Sequence, residues 1–287
     1  MKMKKWPFVY VGIITVITYI PILVTVVYSF NASKITSIWE GFSLKWYAEL
    51  FRDRDMKEAL INSLILAVLS CLLAIFIGTT GALGMHYAKN KRGIQRTNAA
   101  SGVRQQAPVV NKMGSRMNDI ISYLSMLPIM IPEIILGMVF LSVFSLMGLP
   151  FGMVTLVIAH TTFCVPYIFS MVKARLVGMD KALEEAALDL GASRVRVFFD
   201  VTLPMIMPAI LSGAMLAFAM SFDDVVISIF VTGPTVNTLP VKIYTKMKTG
   251  VTPEINALAT LMLLVTIVLL VGASVVGRNR ERREKKQ

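Results

Sequence analysis

Two cysteines and two histidines in 287 residues leave little from which to build a soft-metal site or a disulfide framework. Cys71 and Cys164 lie inside apolar runs and read as small hydrophobes, while His86 and His160 stand apart from other ligand-type residues. No metal site is expected. Charge is scarce as well: 16% of residues are Asp, Glu, Lys or Arg, against roughly a quarter in an ordinary soluble domain. The phosphate-cradling pattern G-x-x-x-x-G-K-[ST] does not occur, so the chain carries no sign of hydrolysing nucleotide itself and reads as a non-enzyme. The run GTTGALG at 78–84 is not a substitute, because no Gly-Lys-Ser/Thr follows it.

Apolar sequence fills the space that charge leaves. Hydrophobic residues make up 55% of the chain and the mean hydropathy is +0.68. Six runs, at 8–30, 59–84, 120–147, 152–172, 205–232 and 255–277, are each long enough to cross about 30 Å of hydrocarbon. They must be helices, because lipid offers no partner to an open backbone group. The expected class is an all-α polytopic membrane protein of six spans forming one transmembrane domain over 1–287. The first run follows a basic start, as in a signal peptide. It is longer than a signal core and has no A-x-A site near its end, so a retained span is expected.

The net charge of +12 is a topology signal rather than a nucleic-acid footprint, because the basic residues lie mainly in the loops. The N-terminus, the 85–119 loop, the 173–204 loop and the tail RNRERREKKQ together hold 21 Lys and Arg; the alternate loops hold 8. The positive-inside rule places the first set, including both termini, in the cytoplasm.

Three connecting segments carry further information. In the outer loop, FSLKWYAELF spaces Phe42, Trp46, Tyr47, Leu50 and Phe51 as an amphipathic interfacial helix does. Trp46 and Tyr47 suit an aromatic belt, and the segment is either purely structural or an external lip that meets substrate or a binding protein. The inner stretch KNKRGIQRTNAASGVRQQAPVVNKMGSRMND, polar and low in aromatics, predicts a flexible tether. In GTTGALG, the small residues Gly78, Gly81, Ala82 and Gly84 allow close approach of a neighbouring helix.

The loop 173–204 is the most informative. Ala182, Glu185, Ala186 and Asp189 recur at helical spacing, Gly191 suits a left-handed stop, and Ser193 can cap a second short helix, RVRVFFDV. Its five acidic and five basic residues make it more than a charge anchor. A slim helix–Gly–helix elbow suits insertion into a groove of another protein.

The pattern E-A-A, three residues, Gly, nine residues, x-x-L-P resembles the signature of permease subunits of bacterial ABC importers. It is carried here by Glu185, Ala186, Ala187, Gly191, Leu203 and Pro204, with Val201 where the family usually has Ile. The resemblance implies that the elbow, 182–204, docks on an ATPase subunit, with Glu185 in contact and Gly191 making the turn. A narrower resemblance, to the second (C-type) permease of spermidine/putrescine importers, runs along nearly the whole chain. Its supporting stretches are YIPILVTVVYSFN, LKWYAELF, IPEIILG, SFDDVVISIFVTGP, LPVKIY and PEINALAT. The 90–118 loop is longer than such permeases usually have. The resemblance implies a set of partners: two ATPase subunits that bind ATP and Mg, a second homologous permease, and an extracytoplasmic substrate-binding protein. It also implies the bacterial cytoplasmic (inner) membrane as the location, and no cofactor in this chain.

Three acids fall within the spans: Glu133, Asp223 and Asp224. A charge at the bilayer centre costs about 2.5–3.5 kcal/mol on insertion scales, so intramembrane acids are functional by default. If the helices ran unbroken, Glu133 would lie about 21 Å along its span and Asp223 about 27 Å along its own. Pro128 and Pro132 free backbone carbonyls just before Glu133, and broken helices at membrane depth line a protected path. These acids, with Ser221, Trp46 and Tyr47, are the candidate substrate-pathway residues. A polyamine carries several ammonium groups on an apolar stem, which suits spaced carboxylates beside aromatic surfaces. An ABC permease for another small solute (an iron complex, a phosphonate or a sugar) stays open, as does a stand-alone secondary transporter.

Overall fold

A computed structural model of the chain describes residues 6–34, 38–100, 112–249 and 253–284. The helices in chain order are α1 (Trp6–Tyr28), α2 (Lys45–Arg52), α3 (Arg54–Ala100), α4 (Lys112–Met130), α5 (Glu133–Leu146) and α6 (Met153–Val177). They continue with α7 (Lys181–Asp189), α8 (Arg194–Val197), a π turn (Phe198–Thr202), α9 (Leu203–Phe222), α10 (Val226–Val231), α11 (Leu239–Thr249) and α12 (Pro253–Glu284). Among the described residues the extended pairing is a single antiparallel bridge, Asn31 with Phe42. The chain is all-α, as expected.

Among the described residues, four helical segments are long and apolar enough to cross a membrane: Val9–Tyr28, Arg54–Ala88, Met153–Val177 and Arg194–Phe222. A fifth results if α4 and α5 count as one span bent by 106°. The sixth expected span falls on α12, whose apolar part is described over Pro253–Val268. Two of the expected spans are interrupted. The 120–147 run breaks at Ile131–Pro132, where proline lacks an amide proton and restricts the residue before it. The 205–232 run stops at Phe222 and resumes at Val226, for a reason that lies in tertiary contacts described below. The expected tether also differs. Helix α3 continues to Ala100 and α4 begins at Lys112, in keeping with a stretch rich in Lys, Arg and Gln, all good helix formers; residues 101–111 lie outside the described residues.

The chain forms two compact units. One comprises α1, α2, the start of α3 as far as Asn62, α11, and α12 as far as Val271. Its core holds Trp46, Leu50, Met56, Ala59, Leu239, Ala257 and Leu258. Asn31 organises the segment after α1: its side-chain amide donates to Ile38 O at 2.6 Å, and its Oδ1 accepts from the Ser33 and Glu40 amides. Phe30 stacks on Phe42 and tilts against Tyr47. Lys246 pairs with Glu254 at 2.7 Å, and Lys242 with Asp55 at 3.3 Å.

The second unit begins at Ser63 and carries α4 to α10. Its centre is α6, where Leu156, Ala159, Cys164, Ile168 and Val172 are completely buried. Small residues bring two neighbours close to it. A Cβ on Gly78 of α3 would sit 3.1 Å from Ile168 Cβ, and one on Gly213 of α9 would sit 3.0 Å from Ile168 Cα. Gly78 and Ala82 thus serve close packing as expected, while Gly84 faces open space. Both cysteines act as packing residues whose thiols point at carbonyls: Cys71 Sγ–H donates to Ala214 O and Cys164 Sγ–H to Ala217 O.

Candidate functional site

Two helix breaks and one elbow, all in the second unit, collect most of the singled-out residues. At the first break, Pro132 precedes α5 and Glu133 occupies its first turn, where the unsatisfied amides of a helix N-terminus favour an acid. Glu133 is exposed. At the second break, α9 ends on Phe222 and Asp223 takes a non-helical conformation, φ −101° and ψ 1°. The adjacent acids therefore do not lie 100° apart on one helix. Asp223 is exposed and Asp224 is buried.

Asp224 is consumed by its own surroundings. Its Oδ1 accepts from the Ile227 amide at 3.2 Å, and its Oδ2 from the Ser228 amide at 2.8 Å and the Ser228 hydroxyl at 2.9 Å. It thus caps α10 from the position before Val225, giving orphan donors of that helix a partner. His160 of α6 completes the arrangement: its Nε2 lies 3.0 Å from Ser228 Oγ and 3.4 Å from Asp224 Oδ2, and its Nδ1 lies 2.8 Å from Ser221 Oγ. Ser221 in turn meets Ser70 of α3 at 2.9 Å. With Asp224 ionised, the proton directions follow. The carboxylate accepts the Ser228 hydroxyl proton, so Ser228 Oγ accepts from His160 Nε2–H. His160 Nδ1 then accepts from Ser221. Thr155 of α6 secures the other end of α10 by donating to Val231 O at 2.9 Å.

The two breaks are neighbours, because α5 packs on α10. A Cβ on Gly137 would fall 2.5 Å from Phe230 Cδ2. Glu133 and Asp223 are thus accessible acids at two neighbouring breaks. Tyr167 of α6, which sequence reasoning did not single out, is partly exposed. Ser221, a candidate pathway residue, is buried in the His160 network instead.

The other two candidates, Trp46 and Tyr47, belong to the first unit. Trp46 is 6% exposed and its indole N–H donates to Asn31 O at 2.7 Å. Tyr47 OH shares a 2.7 Å hydrogen bond with Ser29 Oγ. Of the expected amphipathic face, Phe42 and Phe51 are the exposed members.

The elbow follows its sequence closely. Asp180 caps α7 by accepting from the Ala182 amide at 3.0 Å. Gly191 takes φ +87°, and its amide reaches Leu188 O at 2.9 Å while the Ala192 amide reaches Ala187 O at 3.1 Å. This paired closure is a Schellman stop, which requires a left-handed residue and so favours glycine. Ser193 Oγ accepts from the Arg196 amide and starts α8. The continuation expected as RVRVFFDV widens into the π turn, where the Leu203 amide reaches back to Phe198 O. Leu203 packs on the core, and Pro204 is accommodated in the first turn of α9. No residue of α7 is buried. Glu185 and Ala186 face outward together with Leu183, Leu188, Leu190, Val195 and Phe199; Leu190 is 89% exposed. Charged residues, among them Lys181, Asp189, Arg194 and Arg196, are exposed beside these apolar side chains.

Residues 106–286 match the family described as "Binding-protein-dependent transport system inner membrane component". The putrescine transport system permease protein PotI of Escherichia coli (strain K12) is 42% identical over 247 residues, covering 85% of this chain and 81% of that protein. The spermidine/putrescine transport system permease protein PotC of the same strain is 36% identical over 262 residues, covering 91% of this chain and 90% of that protein. Among solved structures, a bacterial alginate ABC transporter in complex with an alginate pentasaccharide-bound periplasmic protein shares the fold. Its TM-score is 0.65 at 17% identity, covering 99% of this chain and 96% of that one. With one family match over residues 106–286 and a 42% identical permease aligned over most of its length, the chain is a multi-pass membrane protein that belongs to the inner membrane components of binding-protein-dependent transport systems.

Proposed function

We propose that this chain is a permease subunit of an ATP-driven polyamine importer in a bacterial inner membrane, forming half of the translocation pathway. The observation that carries the substrate class is that Glu133 and Asp223 are accessible acids at neighbouring helix breaks in a largely apolar body. The permease names of the two relatives support it. A substrate with two or more ammonium groups can engage both carboxylates, while Tyr167 offers an aromatic wall. Asp224, Ser221 and His160 hold the second break in shape. Trp46 and Tyr47 frame the outer loop rather than touch substrate. The whole chain, 1–287, acts as one transmembrane domain of six spans with both termini in the cytoplasm.

In this reading an extracytoplasmic binding protein delivers substrate to a pathway between this subunit and a second homologous permease. Two partner ATPase subunits hold ATP and Mg at the cytoplasmic face, and this chain supplies no ATP site. Their closure pushes the elbow, with Glu185 and the exposed leucines as the contact surface. The body then shifts between outward- and inward-open states, which need differ by only a few kcal/mol for ligands to rebalance them.

The test is ATP hydrolysis by the native complex captured on this chain and reconstituted with its binding protein, with and without spermidine or putrescine. Stimulation by either polyamine is the expected result. Hydrolysis indifferent to both would remove the substrate assignment, and no co-purifying ATPase would remove the importer reading.

A further inference from the structure

Glu184 stands one residue before the signature glutamate and has a different environment. Glu185 is exposed; Glu184 is half-buried. Its Oε1 accepts from Thr202 Oγ1 at 2.7 Å and from the Tyr87 hydroxyl at 3.3 Å. The two hydroxyl oxygens are themselves 3.5 Å apart. One carboxylate oxygen therefore joins three elements: α7 through Glu184, α3 through Tyr87, and the π turn at the head of α9 through Thr202.

Three features make this more than an ordinary surface hydrogen bond. First, α7 buries none of its residues, so apolar packing gives it little grip on the rest of the unit. A charge-assisted hydrogen bond is about twice as strong as a neutral one and fixes direction as well as distance. Second, Thr202 is completely buried, so its hydroxyl has no water to turn to if Glu184 lets go. Third, Thr202 closes a π turn, a local widening of the helix that recurs at functional positions. Here the widened turn lies where the hydroxyl meets the carboxylate.

We infer that Glu184 is a positioning residue for energy coupling. It clamps α7 to two spans, at the head of α9 and near the end of the Arg54–Ala88 span of α3, so that displacement of the elbow moves both together. Without the clamp, α7 still docks on a partner through Glu185 and its exposed apolar face. Its motion is then absorbed by the loops at Gly178 and Gly191 instead of reaching the spans. The inference rests on the elbow being the contact for an ATPase subunit.

The experiment measures polyamine transported per ATP hydrolysed by the reconstituted complex, using labelled spermidine and putrescine, for T202V, T202S, E184A, Y87F and the E184A/T202V pair. T202V keeps the shape of threonine and removes the donor. T202V and E184A are expected to retain assembly and ATP hydrolysis while the transport ratio falls at least about fivefold, in line with loss of a hydrogen bond to a charged group. T202S restores the ratio. The double variant is no worse than either single one, because both remove the same link. Y87F, which loses the longer bond, lowers the ratio about twofold. A wild-type ratio in T202V beside a working wild-type complex would overturn the clamp alone. So would a fall in transport that only tracks loss of assembled complex. Absence of ATPase from the wild-type complex would overturn the functional reading and the clamp with it.

Discussion

The elbow at 180–202 and the break at 222–226 are both places where one helix stops and another starts, yet they are built by opposite means. At the elbow every terminus is finished by a residue within three positions: Asp180 and Ser193 as N-caps, Gly191 as the left-handed stop. At the break, no glycine or proline intervenes between Phe222 and Val226. Asp224 is again a local cap, but it shares Ser228 with His160, 64 positions earlier in the sequence, whose Nε2 lies 3.0 Å from Ser228 Oγ and 3.4 Å from Asp224 Oδ2. The difference follows from solvent. An exposed helix end has water in reserve, so a short-range cap is enough. A buried end has none, and every polar atom must find a protein partner, including partners distant in sequence.

The comparison can be broken most forcefully at Asp224. Asp224→Leu strips the Ile227 and Ser228 amides of their acceptor in a buried site and is expected to destabilise the protein by about 3 kcal/mol or more. Thermal unfolding in detergent, or failure to accumulate in the membrane, reads this out. Unchanged stability would mean that the break does not depend on its cap. Replacing His160 with Leu comes next, at about 2–3 kcal/mol, because Ser221 and Ser228 lose a shared partner. A Gln there, able to reach one of them, should recover part of the loss.

At the elbow the same kind of change has a smaller and more local cost. Gly191→Ala meets no atom within 4 Å, so its penalty is conformational alone, about 1–2 kcal/mol for a left-handed alanine. The unfolding temperature of the body should barely move, while capture of an ATPase partner weakens several-fold; equal capture would show that the turn need not be left-handed. Smallest for stability is Asp223→Asn, within about 0.5 kcal/mol for an exposed site outside the network. Polyamine uptake is nevertheless expected to fall while assembly is retained. If Asp223→Asn and Asp224→Asn were equally destabilising, the division of labour between the two acids would be lost.

Apolar runs and the elbow signature were legible because each depends on residues close together in sequence or on composition alone. Pro128 and Pro132 also announced the first break, since proline acts on its own turn. The second break left no such mark. Residues 205–232 read as one helix by every local measure, and a six-residue helix such as α10 is too short to persist without tertiary support. Trp46 shows the same limit in the other direction. Its spacing fitted a surface belt, but whether its amphipathic face meets lipid or the core of its own unit is decided by Leu50, Leu239 and Leu258 packing around it.

By itself, then, the sequence determined an all-helical membrane protein, the capped elbow, and the presence of three acids within its apolar runs. Only the tertiary structure decided how those acids divide, with Glu133 and Asp223 accessible and Asp224 buried beside His160, and it alone drew Glu184 of the elbow to Thr202. The reason is physical. Propensity, capping and hydropathy act over a few neighbouring residues. The state of a buried charge depends on which donors the folded chain brings within about 3 Å of it.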